Sequence, residues 1–206
     1  MCPGHDPPAL ARQASAVEQL RRTIRSRRHA LDAAERDAAS RAIAQRALPF
    51  LADIDALGAY VAVSGEVDPA PIVTAAWQRG IAVFVPRITA GRSMVFGAWR
   101  PGAVPARGLF GVPEPPTDAV IRAASRLDVV LVPLVAFDRT GTRLGTGAGF
   151  YDRAFAFRLT QPRGSRPMLV GLAYHWQEAP GLERRPWDVP LDAVVTDREV
   201  IHCTPD

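Results

Sequence analysis

This sequence predicts a single α/β domain, in which a mostly parallel central sheet is flanked by helices and preceded by a basic N-terminal helix. Three observations predict it. Apolar runs rich in Val, Leu and Ile recur at residues 57–63 (LGAYVAV), 81–86 (IAVFVP), 127–137 (LDVVLVPLVAF) and 168–174 (MLVGLAY), with the composition of strands buried on both faces. Helical stretches separate strand runs, as βαβ units require. The run at 127–137 leads, through a polar turn at 138–142, into glycines at every second position, Gly145, Gly147 and Gly149, and then into a helical stretch, FYDRAFAFRL.

The 206 residues, 48% of them hydrophobic, suffice for one well-buried core. No apolar run approaches the roughly 20 residues of a membrane span, and the N-terminus has no signal-peptide stretch. A cytoplasmic monomer is expected. Cys2 and Cys203 sit far apart without metal-ligand spacing, and the four histidines are scattered, so neither a disulfide framework nor a structural zinc site is expected.

In chain order, residues 1–15 (MCPGHDPPALARQAS) read as a disordered tail, and the domain covers 16–204. A helix begins near Ala16, carries the apolar stripe Val17, Leu20 and Ile24, and ends between Arg28 and Ala30. Asp32 and Glu35 have capping-box spacing for a second helix through Ala47. After the strand at 57–63, Glu66 and Asp68 flank Val67, placing both carboxylates on one side of an extended segment. They can bind N–H donors or a metal, or cap the helix at 70–79. The strand at 81–86 completes a βαβ unit, with Arg87 at its carboxyl edge, and 94–99 (MVFGAW) alternates like one arm of a hairpin. The Pro- and Gly-rich segment 101–116 is a long loop of the functional kind, with Phe110 available to pack on a ring. Strands at 168–174 and 191–196 close the sheet.

The glycine loop is the sharpest chemical signal. Glycine lets successive amides turn inward to cradle an anion, and the helix start adds partial positive charge there. The spacing matches neither the dinucleotide fingerprint nor the P-loop, and the chain contains no lysine to complete a P-loop. Instead Arg143 precedes the glycines, and Tyr151, Asp152 and Arg153 follow them. An arginine can clamp phosphate oxygens, and a carboxylate beside a triphosphate can hold Mg²⁺.

The run RLGTGAGFYDR resembles the signature of the 5-formyltetrahydrofolate cyclo-ligase family, in which R-L-G-x-G-x-G-[FY]-Y-D-R forms the ATP phosphate loop. The resemblance continues through LRRTIRSRRHAL, GEVDP, GLFGVPEP, GLAYHWQ and WDVPLDAVVT, in the family's order. It implies a Rossmann-like fold similar to the sugar-phosphate isomerase and CoA transferase type. It implies that ATP contacts Arg21, Arg143, Leu144, Gly145, Thr146, Gly147, Ala148, Gly149, Phe150, Tyr151 and Arg153, with Arg143 and Asp152 catalytic. Glu66, Phe110, Tyr151 and Trp176 are implied as substrate contacts, and Asp152 with Asp192 as Mg²⁺ ligands, Asp188 being the competing carboxylate.

The implied reaction converts 5-formyltetrahydrofolate to 5,10-methenyltetrahydrofolate with ATP and Mg²⁺. This chain departs from the family's pattern at Val17, where some members have lysine. A divergent member acting on another substrate, with Val17 and Thr146 as the suspect positions, is one alternative. An ATP-independent phosphosugar enzyme is another. The net charge of +4, concentrated in the arginine-rich first helix, permits a nucleic-acid reading as well, but there is little aromatic interleaving to stack bases, and no nucleic-acid or membrane partner is expected.

Overall fold

The computed structural model describes residues 7–91, 93–108, 111–162 and 164–204. The chain begins with α1 (Pro7–Ala30) and α2 (Ala33–Ala47). The first helix starts at Pro7 rather than near Ala16, so residues 7–15 are helical where a tail is expected. Proline is accommodated in a first helical turn, and the Ala, Leu, Arg and Gln that follow it are strong helix formers. The start of α2 follows the sequence expectation. Asp32 accepts from the Glu35 N–H at 2.7 Å, and the Glu35 carboxylate accepts from the Asp32 N–H at 3.1 Å.

The sheet strands are β1 (Ala56–Gly58), β2 (Ala82–Ile88), β3 (Met94–Trp99), β6 (Ile121–Arg122), β7 (Val129–Pro133), β10 (Met168–Ala173), β11 (Ala193–Thr196) and β12 (Val200–His202). Two small hairpins stand apart from it, β4 (Ala106–Arg107) with β5 (Pro113–Glu114) and β8 (Ala136–Phe137) with β9 (Arg143–Leu144). The eight strands run in the order β12-β11-β10-β7-β1-β2-β3-β6. The inner five, from β11 to β2, are parallel, and antiparallel strands complete both edges.

Side chains alternate across the sheet, as strand geometry requires. Leu57, Val83, Val129 and Val170 face α2 and α3 (Ala70–Gln78), packing with Ile43 and Ile72. Phe84, Val130, Val132 and Leu169 face the other way, packing with Phe137 and Phe155. Full burial of each such side chain contributes about 1.5–3 kcal/mol.

Three expected elements are shorter than the apolar pattern suggests. The run at 57–63 pairs only as β1, and its remainder leaves the sheet's carboxyl edge. The run at 127–137 divides into β7 and β8. The helix at 150–159 is α4 (Phe150–Ala154) followed by a tighter 3₁₀ turn at Ala156–Thr160. Phe155, wholly buried against Phe96 and Phe157, sits at that change of winding.

The chain builds outward from β1, first to β2 on one side and then to β7 on the other. The switch in direction therefore lies between β1 and β7, where open α/β sheets leave a crevice at their carboxyl ends.

Candidate functional site

A cleft of about 1380 Å³ occupies that crevice. Tyr60, Val61 and Val63 enter it from beyond β1, Ile88 from the end of β2, and Pro133 and Leu134 from the end of β7. The glycine loop forms the wall facing them.

That loop is held shut from both ends. Arg143 on β9 donates its Nη2 to Asp152 Oδ1 at 2.6 Å and its Nη1 to the Val189 carbonyl, while the Val189 N–H reaches the same Asp152 oxygen at 3.1 Å. Gly147 and Gly149 have φ of +104° and +64°, which a Cβ makes costly, and Gly149 is the residue from which α4 starts. From α1, Arg21 Nε donates to the Gly145 carbonyl at 3.1 Å, so the basic helix straps the loop. Arg153 Nη1 donates to the Ala148 carbonyl at 2.9 Å. Val17 lines the same wall one helical turn before Arg21.

Across the cleft, Glu66 is half-buried and accepts from the Val63 N–H at 3.2 Å. Burial pushes its carboxyl above the ordinary range, opposed by that backbone bond and by the charge of Arg28. Arg28 is itself 2% exposed, with one contact to the Leu134 carbonyl at 3.4 Å. Burial, and then the neighbouring Glu66 charge, also push the Tyr151 phenol well up. The Tyr151 hydroxyl is buried with no hydrogen-bond partner among the described residues. A buried hydroxyl without a partner costs free energy.

The long loop is tied down beside this wall. Glu114 Oε1 accepts from the Ile88 N–H at 3.1 Å, and Arg87 donates to the carbonyls of Pro115, Pro116 and Thr117. Arg87 is thus committed to the loop. Asp68 accepts from the Ala70 N–H at 2.9 Å, starting α3, so of the two carboxylates flanking Val67 it is Glu66 that lines the cleft.

The structure gathers Arg21, Glu66, Arg143 to Leu144, the loop 145–149, and Phe150 to Arg153 around one cleft. It separates two expected residues from it. Asp192 precedes β11 at the amino edge of the sheet, where Arg158 Nη2 meets both its oxygens at 2.9 and 3.1 Å and the Leu169 N–H meets it at 2.7 Å. With both oxygens satisfied there, it is a buried structural ion pair and no metal ligand. Asp188, four residues earlier, lines the cleft with Asp152.

Trp176 likewise lies outside the cleft lining. It stacks on Tyr174 at 5.3 Å between ring centres, with the Arg27 guanidinium 4.3 Å above it. Phe110 lies outside the described residues. His175 pairs with Asp197 at 2.7 Å and is no part of the cleft lining. Sequence reasoning missed Tyr60 and the rim residues Arg185 and Trp187, all of which line the cleft. The WD pair at 187–188 was a signal for the rim; nothing in the sequence marks Tyr60.

Among the described residues there is no group of three or more His, Cys, Asp or Glu that could hold a metal, and no helix is long and apolar enough to cross a membrane. The geometry nevertheless suits a metal shared with a ligand. Both donors to Asp152 converge on Oδ1, and Oδ2 makes no hydrogen bond among the described residues. Mg²⁺ commonly takes one or two protein carboxylates and completes its shell with phosphates and water.

An open, mostly parallel sheet with a large cleft at its switch point, walled by a glycine loop that opens a helix, defines an α/β enzyme built to hold small anionic molecules. The 5-formyltetrahydrofolate cyclo-ligase family model matches residues 13–197, and the chain belongs to that family, making it a ligase. It is 33% identical to the 5-formyltetrahydrofolate cyclo-ligase of Escherichia coli K12 over 186 residues, 86% of this chain and 98% of that one. The cyclo-ligase of Saccharomyces cerevisiae is 31% identical over 203 residues, 89% of this chain and 94% of its own. Among solved structures, the 5,10-methenyltetrahydrofolate synthetase of Aquifex aeolicus superposes with a TM-score of 0.75 at 28% identity, covering 90% of this chain and 92% of that one. That of Mycoplasma pneumoniae gives 0.69 at 25% identity, covering 88% and 99%.

Proposed function

We propose that this protein converts 5-formyltetrahydrofolate to 5,10-methenyltetrahydrofolate, consuming ATP with Mg²⁺ and releasing ADP and phosphate. The observation that carries this reading is the shared cleft. The clamped glycine loop opens onto the same space as Glu66, so a phosphate donor and a polar heterocycle can meet there.

In this reading the γ-phosphoryl group passes to the formyl oxygen, which becomes a leaving group. N10 attacks the formyl carbon, and phosphate departs as the ring closes. Such chemistry asks for positioning and charge neutralisation more than for a side-chain nucleophile. The amides of 145–149 and the start of α4 receive the phosphates, and Arg143, fixed by Asp152, holds the loop's shape. Arg21 and Arg153, now bonded to loop carbonyls, supply further positive charge. Glu66 accepts an N–H of the pterin, and Tyr151 donates to the folate. Asp152 and Asp188 would hold the Mg²⁺, which when bound neutralises charge on the transferring phosphates. A cytoplasmic monomer goes with this reading, as suits an enzyme of two soluble anionic substrates.

The test is to follow absorbance of the methenyl chromophore as purified protein meets 5-formyltetrahydrofolate, ATP and Mg²⁺. The chromophore builds only when all three are present. ATP binding without the chromophore would retain the phosphate loop and overturn the folate assignment.

A further inference from the structure

Trp187 stands apart from the chain's other tryptophans. Trp77 donates its ring N–H to the Trp99 carbonyl, Trp99 is half-buried, and Trp176 is stacked on Tyr174, whereas Trp187 is 60% exposed and lines the cleft. Its exposure matters because of its place: the ring lies on the wall of the cleft, where an aromatic surface is available to a ligand.

The backbone that presents the ring is fixed on both sides. Two residues onward, Val189 is 1% exposed and is bonded through its N–H to Asp152 and through its carbonyl to Arg143, the two residues that clamp the glycine loop. Two residues back, Arg185 closes a turn with Asp188: the Asp188 N–H donates to the Arg185 carbonyl at 3.0 Å, and the Arg185 N–H donates to the Asp188 carboxylate at 2.9 Å. That turn leaves the Arg185 guanidinium 5.7 Å from the centre of the indole ring. The indole is therefore a preorganised platform with a cation over one face, stitched through Val189 to Asp152 of α4.

We propose that Trp187, flanked by Arg185, is the surface on which the base of the bound nucleotide stacks. This rests on the nucleotide reading above and extends it from the phosphates to the base. Phosphates on the loop amides place the rest of a nucleotide within reach of the segment bonded to that loop. The apolar part of the cleft around Tyr60, Ile88 and Met94 belongs to the strand ends beside Glu66 and suits the second substrate. An open indole face holds a base by ring contact, which is tolerant of base identity. Arg185, at the same rim, adds a positive charge toward the polyphosphate.

The experiment compares the full-length wild type with Trp187→Ala and Trp187→Phe, using calorimetry and intrinsic fluorescence. Ligands are ATP with Mg²⁺, inorganic tripolyphosphate and 5-formyltetrahydrofolate. ATP is expected to quench indole emission in the wild type, and tripolyphosphate to bind without that quench. Trp187→Ala is expected to bind ATP about tenfold more weakly, the loss of one base–aromatic stack, while keeping its tripolyphosphate affinity. Trp187→Phe should stay within roughly threefold of the wild type, because it retains an aromatic face. Thermal melts confirm that the exposed site leaves folding intact.

Unchanged ATP affinity in Trp187→Ala overturns the platform while sparing the phosphate loop. Loss of 5-formyltetrahydrofolate affinity with ATP affinity intact overturns it too, reassigning the ring to the other substrate. If neither ATP nor tripolyphosphate binds the wild type, the nucleotide reading itself falls, and the platform with it.

Discussion

Arg143 Nη2 lies 2.6 Å from Asp152 Oδ1, and the glycine loop is the chain between them. The Arg143 side chain is 7% exposed and that of Asp152 24%, so the pair is sheltered on one side and open to the cleft on the other. Asp152→Asn keeps the side-chain shape and removes the charge. Formation of the methenyl chromophore should fall by at least about 100-fold, as for loss of a transition-state electrostatic contact. Far-UV circular dichroism should be unchanged.

Asp188 and Asp192 should respond in opposite ways to the same substitution. Asp192→Asn leaves the Arg158 guanidinium buried without its charge partner, at a cost of about 3 kcal/mol, or roughly 6–12 °C in Tm for a domain of this size. Asp188→Asn should move Tm by no more than about 2 °C, as for a site away from the core, and instead raise the Mg²⁺ concentration needed for half-maximal turnover. Calorimetry beside a magnesium titration separates the two. A Mg²⁺ effect confined to Asp192→Asn would reverse the assignment.

Glu66 predicts an exchange of stability for function. Burial raises its carboxyl pKa above the ordinary value near 4.5, so the folded protein binds that proton more tightly than the unfolded chain. Stability from this group is then fully present below the ordinary value and declines as pH rises through the raised folded value. Glu66→Gln removes that decline. Its Tm should match wild type in acid and exceed it at pH 8, while turnover is largely lost. Melts across pH 4–8 provide the check.

Gly97 on β3 lets the long loop approach the sheet. A Cβ there would sit 2.5 Å from Pro115 Cγ and 3.0 Å from Pro115 Cβ, inside the contact distance of either atom. Gly97→Ala should cost about 1–3 kcal/mol in urea unfolding, as overpacking does. Because Glu114 lies next to Pro115 and lines the cleft, KM for the folate should rise with little change in KM for ATP.

Local chemistry was legible in the sequence wherever neighbouring residues settle it among themselves. The Asp32–Glu35 capping box and the loop of Gly145, Gly147 and Gly149 opening α4 depend on contacts within a few residues. The apolar runs likewise announced a mostly parallel sheet, because strands buried on both faces have little choice of composition. Apolarity does not say where pairing stops, however. Residues 59–63 are as apolar as a strand, yet they run past the sheet's edge and become cleft wall.

Residue roles set across long separations were decided only by the tertiary structure. Asp188 and Asp192 are four positions apart in one polar-and-apolar run, and nothing local ranks them. The difference lies in what each meets: Asp192 falls against Arg158 and the start of β10, whereas Asp188 falls beside the loop that Arg143 and Asp152 hold shut. Trp176 and Trp187 divide in the same way, one stacked on Tyr174 and one left open on the cleft wall. Sequence fixes which groups the chain has to offer. Which of them reach the cleft depends on strand order and register, which emerge only when distant segments compete for the same buried space.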